Sequence, residues 1–185
     1  MASYIKIGGE IKNRIQGRIA EILSKIGYQV ALEAYKKARF SGWQHDTYNL
    51  HDSYGSAVYI NGVFVEGSMK YVNRARSRKN KNRTFRAGRT LIGTGREALE
   101  HFFRHAWVVR KSDTITVIVA AAMWYGEYLE DKGFEVLDPE FVKKEIKNRV
   151  YKDPELLQML KDEFGINTTT ARRWLGVDEE KVYEL

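Results

Sequence analysis

Apolar residues recur at every third or fourth position near the start of the chain. They are Ile11, Ile15, Ile19, Ile22, Ile26 and Val30. This spacing places them on one face of an α-helix. It predicts a single long helix from about Glu10 to about Arg39, ended by the Ser-Gly pair at 41–42. Gly17 and Gly27 interrupt this pattern, and each is expected to weaken the helix by about 1 kcal/mol relative to alanine.

The pattern then changes from helical spacing to short strands. A polar residue at position 46 or 47 can cap a short helical turn that carries Leu50. Residues 57–60 and 63–65 are rich in branched and aromatic side chains, which favour strands. The Asn61-Gly62 pair between them is a strong signal for a two-residue turn. The sequence therefore predicts a β-hairpin that presents Val58, Ile60, Val63 and Val65.

A helix and a central strand are predicted in the middle of the chain. Thr94 is placed to cap a helix over residues 96–105, and the inner face of this helix would hold Ala98, Leu99, Phe102, Phe103 and Ala106. Residues 114–119 alternate and are strongly β-forming, which predicts the central strand. Residues 120–132 predict a further helix that ends at Gly133, followed by a short extended piece over residues 134–137.

Both prolines follow an aspartate, in Asp138-Pro139 and Asp153-Pro154. Aspartate is a good helix cap and proline suits the first helical position. Two helices are therefore predicted, over residues 139–150 and 154–164, and Gly165 ends the second. Residues 168–170 are predicted to cap a last short helix over 171–175. The elements together predict an α+β fold, in which a long N-terminal helix packs on a small antiparallel sheet, with further helices at the C-terminus.

Composition narrows the class of protein. The chain has 185 residues, of which 43% are hydrophobic, enough for one compact domain with its own core. No run of eighteen apolar residues occurs, so no membrane span is expected, and the start of the chain lacks the apolar core of a signal peptide. Cysteine is absent, which excludes disulfides, thiolate metal sites and cysteine nucleophiles.

The net charge of +7 comes from one segment. Residues 67–96 contain ten basic residues and no acid, whereas the rest of the chain holds 21 basic and 24 acidic residues. We call residues 67–95 the basic loop. Its predicted contact residues are Lys70, Arg74, Arg76, Arg78, Lys79, Lys81, Arg83, Arg86 and Arg89. Such a loop is expected to bind nucleic acid or an acidic protein neighbour, or to be solvated without a partner.

The sequence offers few candidate residues for catalysis or metal binding. His101 and His105 are spaced i, i+4 and could reach one metal ion, but no third ligand is identifiable and two surface histidines are the simpler interpretation. A metal-dependent nuclease that uses Glu127, Glu130 and His101 is the third and weakest hypothesis. Tyr71 and Phe85 could stack on bases if the basic loop binds nucleic acid. We therefore expect no enzyme activity, no cofactor and no metal.

The C-terminal helices provide a second hint of nucleic-acid binding. Residues 156–164, the turn at 165–167 and residues 170–175 have the rhythm of a helix-turn-helix, with Arg172 and Arg173 on the second helix. Lys161 and Ala171 depart from the residues usual at the helix contact. An ordinary helical hairpin is the simpler interpretation, and a DNA-binding protein that uses the basic loop and this helical pair is the alternative function.

Two stretches together resemble a known family. The first is residues 46–55, DTYNLHDSYG, followed by the hairpin. The second is the strand at 115–119, followed by AMWYGEYLE at 122–130 and Lys132-Gly133. They resemble the two signatures of the neck proteins of tailed bacteriophages, the head–tail joining or tail-completion family. Tyr48, Gly126 and Leu129 depart from the family pattern. The matching residues are Thr47, Asn49, Leu50, Ser53, Tyr125, Tyr128, Glu130 and Gly133.

The resemblance covers about residues 10–137. It implies a neck-protein-like α+β domain over residues 1–137, which includes the basic loop, and a C-terminal helical extension over 138–185 without a counterpart in the family. It also implies a structural virion protein, assembled in the cytoplasm of a bacterial host, that forms a homo-oligomeric ring of six or twelve copies between portal and tail. Its expected partners are other neck, portal or tail proteins, with packaged DNA in the channel as a further partner.

Overall fold

The computed structural model describes residues 2–8, 13–38, 49–73, 94–106, 108, 114–122 and 130–174. Within these ranges lie five strands and six helices, and residues 130–131 are also helical. The strands are β1 (Ala2–Gly8), β2 (Tyr54–Ile60), β3 (Val63–Phe64), β4 (Lys70–Tyr71) and β5 (Thr114–Ala121). The helices are α1 (Asn13–Lys37), α2 (Asn49–Asp52), α3 (Gly95–His105), α4 (Pro139–Lys152), α5 (Pro154–Phe164) and α6 (Thr168–Trp174). The predicted α+β fold is confirmed.

The sheet is antiparallel, and β5 is its central strand. On one side β5 pairs with β1, from Ala2 opposite Ala120 to Gly8 opposite Thr114. On the other side it pairs along the whole of β2. The short strands β3 and β4 both pair with the far edge of β2. Three long elements therefore make the sheet, and two short ones cover one of its edges.

The predicted hairpin is confirmed. Ile60 pairs with Val63 and Tyr59 pairs with Phe64, so Asn61 and Gly62 form a two-residue turn. Both turn residues have positive φ, at 52° and 74°. These values fit the turn type that matches the twist of antiparallel strands, which is why Asn-Gly is preferred there.

Strand β1 was missed by the sequence analysis, which began with the long helix. Ile5 and Ile7 alternate with Lys6, but a segment of seven residues gives only a weak local signal. Its partner β5 lies more than a hundred residues later in the chain. Only the folded sheet reveals this pairing.

The two central strands, β2 and β5, are buried on both faces of the sheet. On one face, Val58 and Val117 share a hydrophobic cluster with Ile19, Leu23 and Val30 of α1. On the other face, α3 contributes Leu99 and Phe103 to a second cluster. The sheet contributes the remaining members, Ala57, Tyr59, Ile118 and Ala120. All eight residues of β5 are buried. The fold therefore has three layers, with the sheet between α1 and α3.

Gly27 has a packing role that the sequence analysis did not foresee. A Cβ atom at this position would lie 2.9 Å from Cγ1 of Val117 and 3.1 Å from Cβ of Ser56. The absence of a side chain thus lets α1 approach the sheet closely. A Cβ atom at Gly17, by contrast, would meet nothing within 4 Å. Gly27 is required by tertiary packing, and Gly17 is not.

The C-terminal helices begin as predicted. The Asp138 carboxylate accepts a hydrogen bond from Phe141 N at 3.0 Å, and the Asp153 carboxylate accepts one from Leu156 N at 2.8 Å. Helix α4 ends at Lys152, two residues later than predicted, and Gly165 ends α5 in the left-handed region. Their buried residues belong to the same cluster as α1: Val142, Ile146, Val150, Leu156, Leu157, Met159 and Leu160.

Two predicted helix boundaries were wrong. Ala120 and Ala121 belong to β5, because they pair with Gly55 and Tyr54 of β2. The rest of that predicted helix falls largely at 123–129, outside the described residues. Helix α6 starts at Thr168, because the Asn167 side chain accepts the Thr170 amide at 2.8 Å and takes the capping role.

Helix α3 agrees with its prediction. Oγ1 of Thr94 accepts a hydrogen bond from Glu97 N at 3.2 Å, which caps the helix. Ala98, Leu99 and Phe103 are buried, whereas Phe102 and Ala106 are only partly buried. Among the residues described, no helix has both the length and the apolar character needed to cross a bilayer.

Candidate interaction site at the base of the basic loop

Most of the predicted contact residues of the basic loop lie outside the described residues. Lys70 is described and is exposed at the start of β4. The others, which fall outside, are Arg74, Arg76, Arg78, Lys79, Lys81, Arg83, Arg86 and Arg89. The structure therefore defines the two ends of the loop, residues 67–73 and 94–95. Its first end is partly a strand, which corrects the prediction of a loop throughout.

The first end of the loop is fixed to β2 and α2. Tyr71 pairs with Gly55, and Val72 N donates to Tyr54 O at 3.1 Å. Nδ2 of Asn73 then donates to the carbonyl of His51 in α2 at 2.7 Å. A Cβ atom at Gly55 would lie 2.4 Å from the Lys70 carbonyl oxygen, so glycine allows this close pairing.

The second end of the loop returns to the same short helix. Gly95 N donates to Oδ1 of Asn49 at 3.1 Å. A Cβ atom at Gly95 would lie only 1.9 Å from the backbone oxygen of Asn49. Because that oxygen belongs to the main chain, a side chain at 95 would force α2 and α3 apart. Both ends of the basic loop are thus held by residues 49–51.

Tyr71 links the first end of the loop to α3. Its hydroxyl donates to the Glu100 carboxylate, and the Arg96 guanidinium lies 4.1 Å from the centre of its ring. Burial, followed by the hydrogen bond to Glu100, raises the pKa of Tyr71 to about 12. From the sequence, this ring was a candidate for base stacking. The structure places it between two partners of its own chain.

The first motif of the resemblance builds the α2 anchor. Leu50 is buried, and its carbonyl accepts hydrogen bonds from N and Oγ of Ser53, at 3.1 and 2.8 Å. Asn49 binds Gly95 as described above. Three of the matching residues, Asn49, Leu50 and Ser53, thus have defined structural roles. Thr47 lies outside the described residues.

The second motif meets the first. Ala122 N, after the end of β5, donates to Ser53 O at 3.1 Å. The buried Tyr54 hydroxyl donates to the carbonyl of Val136. Burial raises the pKa of Tyr54, and the negative charge of Glu130 raises it further. Two segments about eighty residues apart in sequence are therefore in contact through Tyr54.

Glu130 and Gly133 shape the turn that carries Val136. The Glu130 carboxylate accepts a hydrogen bond from Leu137 N at 3.3 Å. Gly133 N donates to Glu130 O at 2.9 Å, and Gly133 has a φ of 83°, which suits glycine. Tyr125 and Tyr128 lie outside the described residues. Those members of the second motif that are described therefore fix backbone geometry.

The two histidines of α3 contact each other and the backbone of their own helix. His101 and His105 are exposed on α3, and their rings stack at 4.2 Å. Nδ1 of His105 lies 2.8 Å from the carbonyl of His101. Among the described residues, no group of three histidine or carboxylate side chains is arranged to hold a metal ion. Glu127, part of the nuclease hypothesis, lies outside them.

In the helical pair α5–α6, Arg172 lies against α4. Ala171 is fully buried, and the Arg172 guanidinium lies 5.3 Å from the ring centre of Tyr151. The side chain of Arg173 lies outside the described part of the chain. Arg172 therefore belongs to a surface shared with α4, a neighbour that the sequence pattern did not indicate.

Asn49 was identifiable from its motif, but its contact with Gly95 was not predicted. The Gly-Thr-Gly run at 93–95 was a visible signal, since glycine marks close backbone approach, but the run also fits an ordinary helix start. Comparisons with protein-family models, with curated protein sequences and with solved structures find no match to this chain.

Proposed function

We propose that this chain is a structural subunit of the neck of a tailed bacteriophage, either a head–tail connector or a tail-completion protein. In this role it forms a ring of six or twelve copies that joins the portal or adaptor to the tail. It acts in the virion and is assembled in the cytoplasm of the bacterial host. It has no enzymatic role in this proposal.

One observation carries the proposal: the described parts of the two stretches that resemble the family are in contact. Ser53 of the first stretch accepts a hydrogen bond from Ala122 of the second, and Tyr54 donates one to Val136, three residues after the second stretch ends. Two unrelated chance matches have no reason to be adjacent in space. The contact therefore supports treating both motifs as parts of one family pattern.

The basic loop is the proposed contact with a neighbouring subunit. Its ends are held on α2 by Asn73 and Gly95, so its position relative to the sheet is defined at both ends. The charges between them need anionic partners, which a neighbouring copy or another neck protein supplies. In a closed ring each such contact is repeated around the circle, so individual interfaces can be modest.

Oligomeric state tests this proposal directly. Native mass spectrometry and light scattering on the purified protein, alone and with its virion neighbours, should show a closed ring of defined copy number. A variant with Arg76, Arg78, Lys79 and Lys81 changed to Gln should lose the ring. A control with Lys36, Lys132, Lys143 and Lys161 changed to Gln loses equal charge and should keep it.

Two results would contradict the proposal. One is a protein that stays monomeric at every concentration and with every neighbour, and that is missing from purified particles. The other is a ring that is equally stable in the loop variant and in the control variant. The second result would retain the ring but remove the basic loop from its interface.

A further inference from the structure

The outer face of α4 is rich in cations. Val142, Ile146 and Val150 point into the core, and the opposite side carries exposed residues at 144, 148, 151 and 152. We use the name α4 cationic face for Lys144, Tyr151 and Lys152 together with Arg172 of α6. Tyr151 has 43% of its surface exposed, a large value for an aromatic residue in a folded chain.

Arg172 joins this face from another helix. Its guanidinium lies 5.3 Å from the centre of the Tyr151 ring, within the range of a cation–π contact. Ala171 beside it is fully buried, which fixes α6 against the core. The cations of the face therefore come from two packed helices and have defined relative positions.

The two acids of α4 each lie within 4 Å of a basic residue outside this face. Glu140 is in the first turn, 3.8 Å from Lys143. Glu145 lies 3.6 Å from Arg149, which also binds Glu33 of α1 at 2.6 Å. Both carboxylates of the helix thus have basic partners outside the α4 cationic face. The last two turns of α4, residues 146–152, contain three basic residues and no acid.

We propose that the α4 cationic face binds the sugar–phosphate backbone of nucleic acid. Lys144 and Lys152 are eight residues apart, about 12 Å along the helix, a distance that spans roughly three phosphates of one strand. Arg172 supplies a planar donor group suited to phosphate. Tyr151 adds an exposed ring that can pack on a sugar or an unpaired base.

The chemistry of the face favours nucleic acid over an acidic protein. An exposed aromatic ring among cations has a matching partner in a base or sugar, whereas a carboxylate surface offers only charge. The proposal differs from a helix-turn-helix, because the contact surface centres on α4 and needs no recognition helix in a groove. It is independent of ring formation and of the basic loop.

Fluorescence anisotropy with labelled duplex and single-stranded DNA of equal length tests the proposal on the full chain. The variant K144Q/K152Q should bind roughly ten- to sixtyfold more weakly at 0.1 M salt. The larger value is expected if both lysines contact phosphates and each contact releases its counterion fully. Its plot of log affinity against log salt should be less steep by about 1.8. The control K36Q/K132Q, with the same net charge, should change affinity less than about twofold.

A third variant tests the aromatic ring. Tyr151→Leu keeps an apolar side chain and should weaken single-stranded DNA about tenfold while changing duplex binding little. Circular dichroism of every variant checks that the helices are retained. The measurements are repeated in the loop variant described above, so that binding by the basic loop is separated from binding by α4.

Several outcomes would overturn the assignment. Wild-type protein that binds neither DNA at low salt would do so, as would equal losses in K144Q/K152Q and in the control. Displacement of DNA by polyglutamate at equal charge concentration would show that the face recognises charge alone and suits an acidic protein. If the loop variant loses all binding while K144Q/K152Q binds DNA as tightly as the wild type, the contact lies on the basic loop.

Discussion

Replacing Gly27 with alanine should destabilise the protein, although alanine is the better helix former. The new methyl group would lie 2.9 Å from Cγ1 of Val117 and 3.1 Å from Cβ of Ser56, where ordinary carbon contacts are 3.5 to 4.0 Å. Val117 and Ser56 are both fully buried strand residues, so neither can move away freely. Overpacking of this kind costs about 1–3 kcal/mol.

Gly17 in the same helix provides the matched control. It is exposed, and a Cβ atom there would meet nothing within 4 Å. Gly17→Ala should therefore gain the helix propensity of about 1 kcal/mol without a packing cost. Gly27→Ala has the same favourable change in helix propensity, but overpacking against Val117 and Ser56 opposes it. The two variants should then differ in free energy of unfolding by about 1–3 kcal/mol, with Gly17→Ala the more stable.

Urea denaturation followed by circular dichroism measures this difference at a fixed protein concentration, since oligomers change apparent stability. The slope of the transition should be alike in the two variants, because they expose the same surface on unfolding. A Gly27→Ala variant as stable as Gly17→Ala would refute the close approach of α1 to the sheet.

Three further predictions concern the loop base, a helix cap and a tyrosine. Gly95→Ala should cost at least about 2 kcal/mol in urea denaturation, because its Cβ atom would meet the Asn49 carbonyl; a loss of under half that would contradict the α2–α3 contact. Asp153→Ala should cost about 1 kcal/mol through loss of the α5 cap, and Asp162→Ala on the same helix serves as control. Tyr71 has a folded pKa of about 12, above its usual 10.0, so its contribution to stability should be complete below pH 10 and lost as pH rises towards 12. Ultraviolet titration should show this tyrosine ionising late, and earlier in Glu100→Gln; no change in that variant would contradict the hydrogen bond.

Local signals in the sequence determined most of the elements. The Asn-Gly turn, the two Asp-Pro helix starts and the three- to four-residue spacing of α1 each depend on neighbours close in the chain. The prediction failed where a contact with a distant strand opposed a local preference. Ala120 and Ala121 favour a helix by themselves, but pairing with β2 draws them into β5. The excess of charge in the basic loop was also readable from the sequence alone.

Tertiary structure decided everything that depends on contacts between distant parts of the chain. Strand β1 pairs with a segment more than a hundred residues away, and no local pattern specifies that partner. The role of Gly27 depends on Val117, and that of Gly95 on Asn49, because a missing side chain matters only where another segment approaches. The sequence thus determined the local elements and the charge of the basic loop. Packing alone decided that both ends of this loop meet at α2 and that Arg172 lies beside Tyr151. The physical reason is that burial brings together residues far apart in the chain, and no local sequence pattern specifies such pairs.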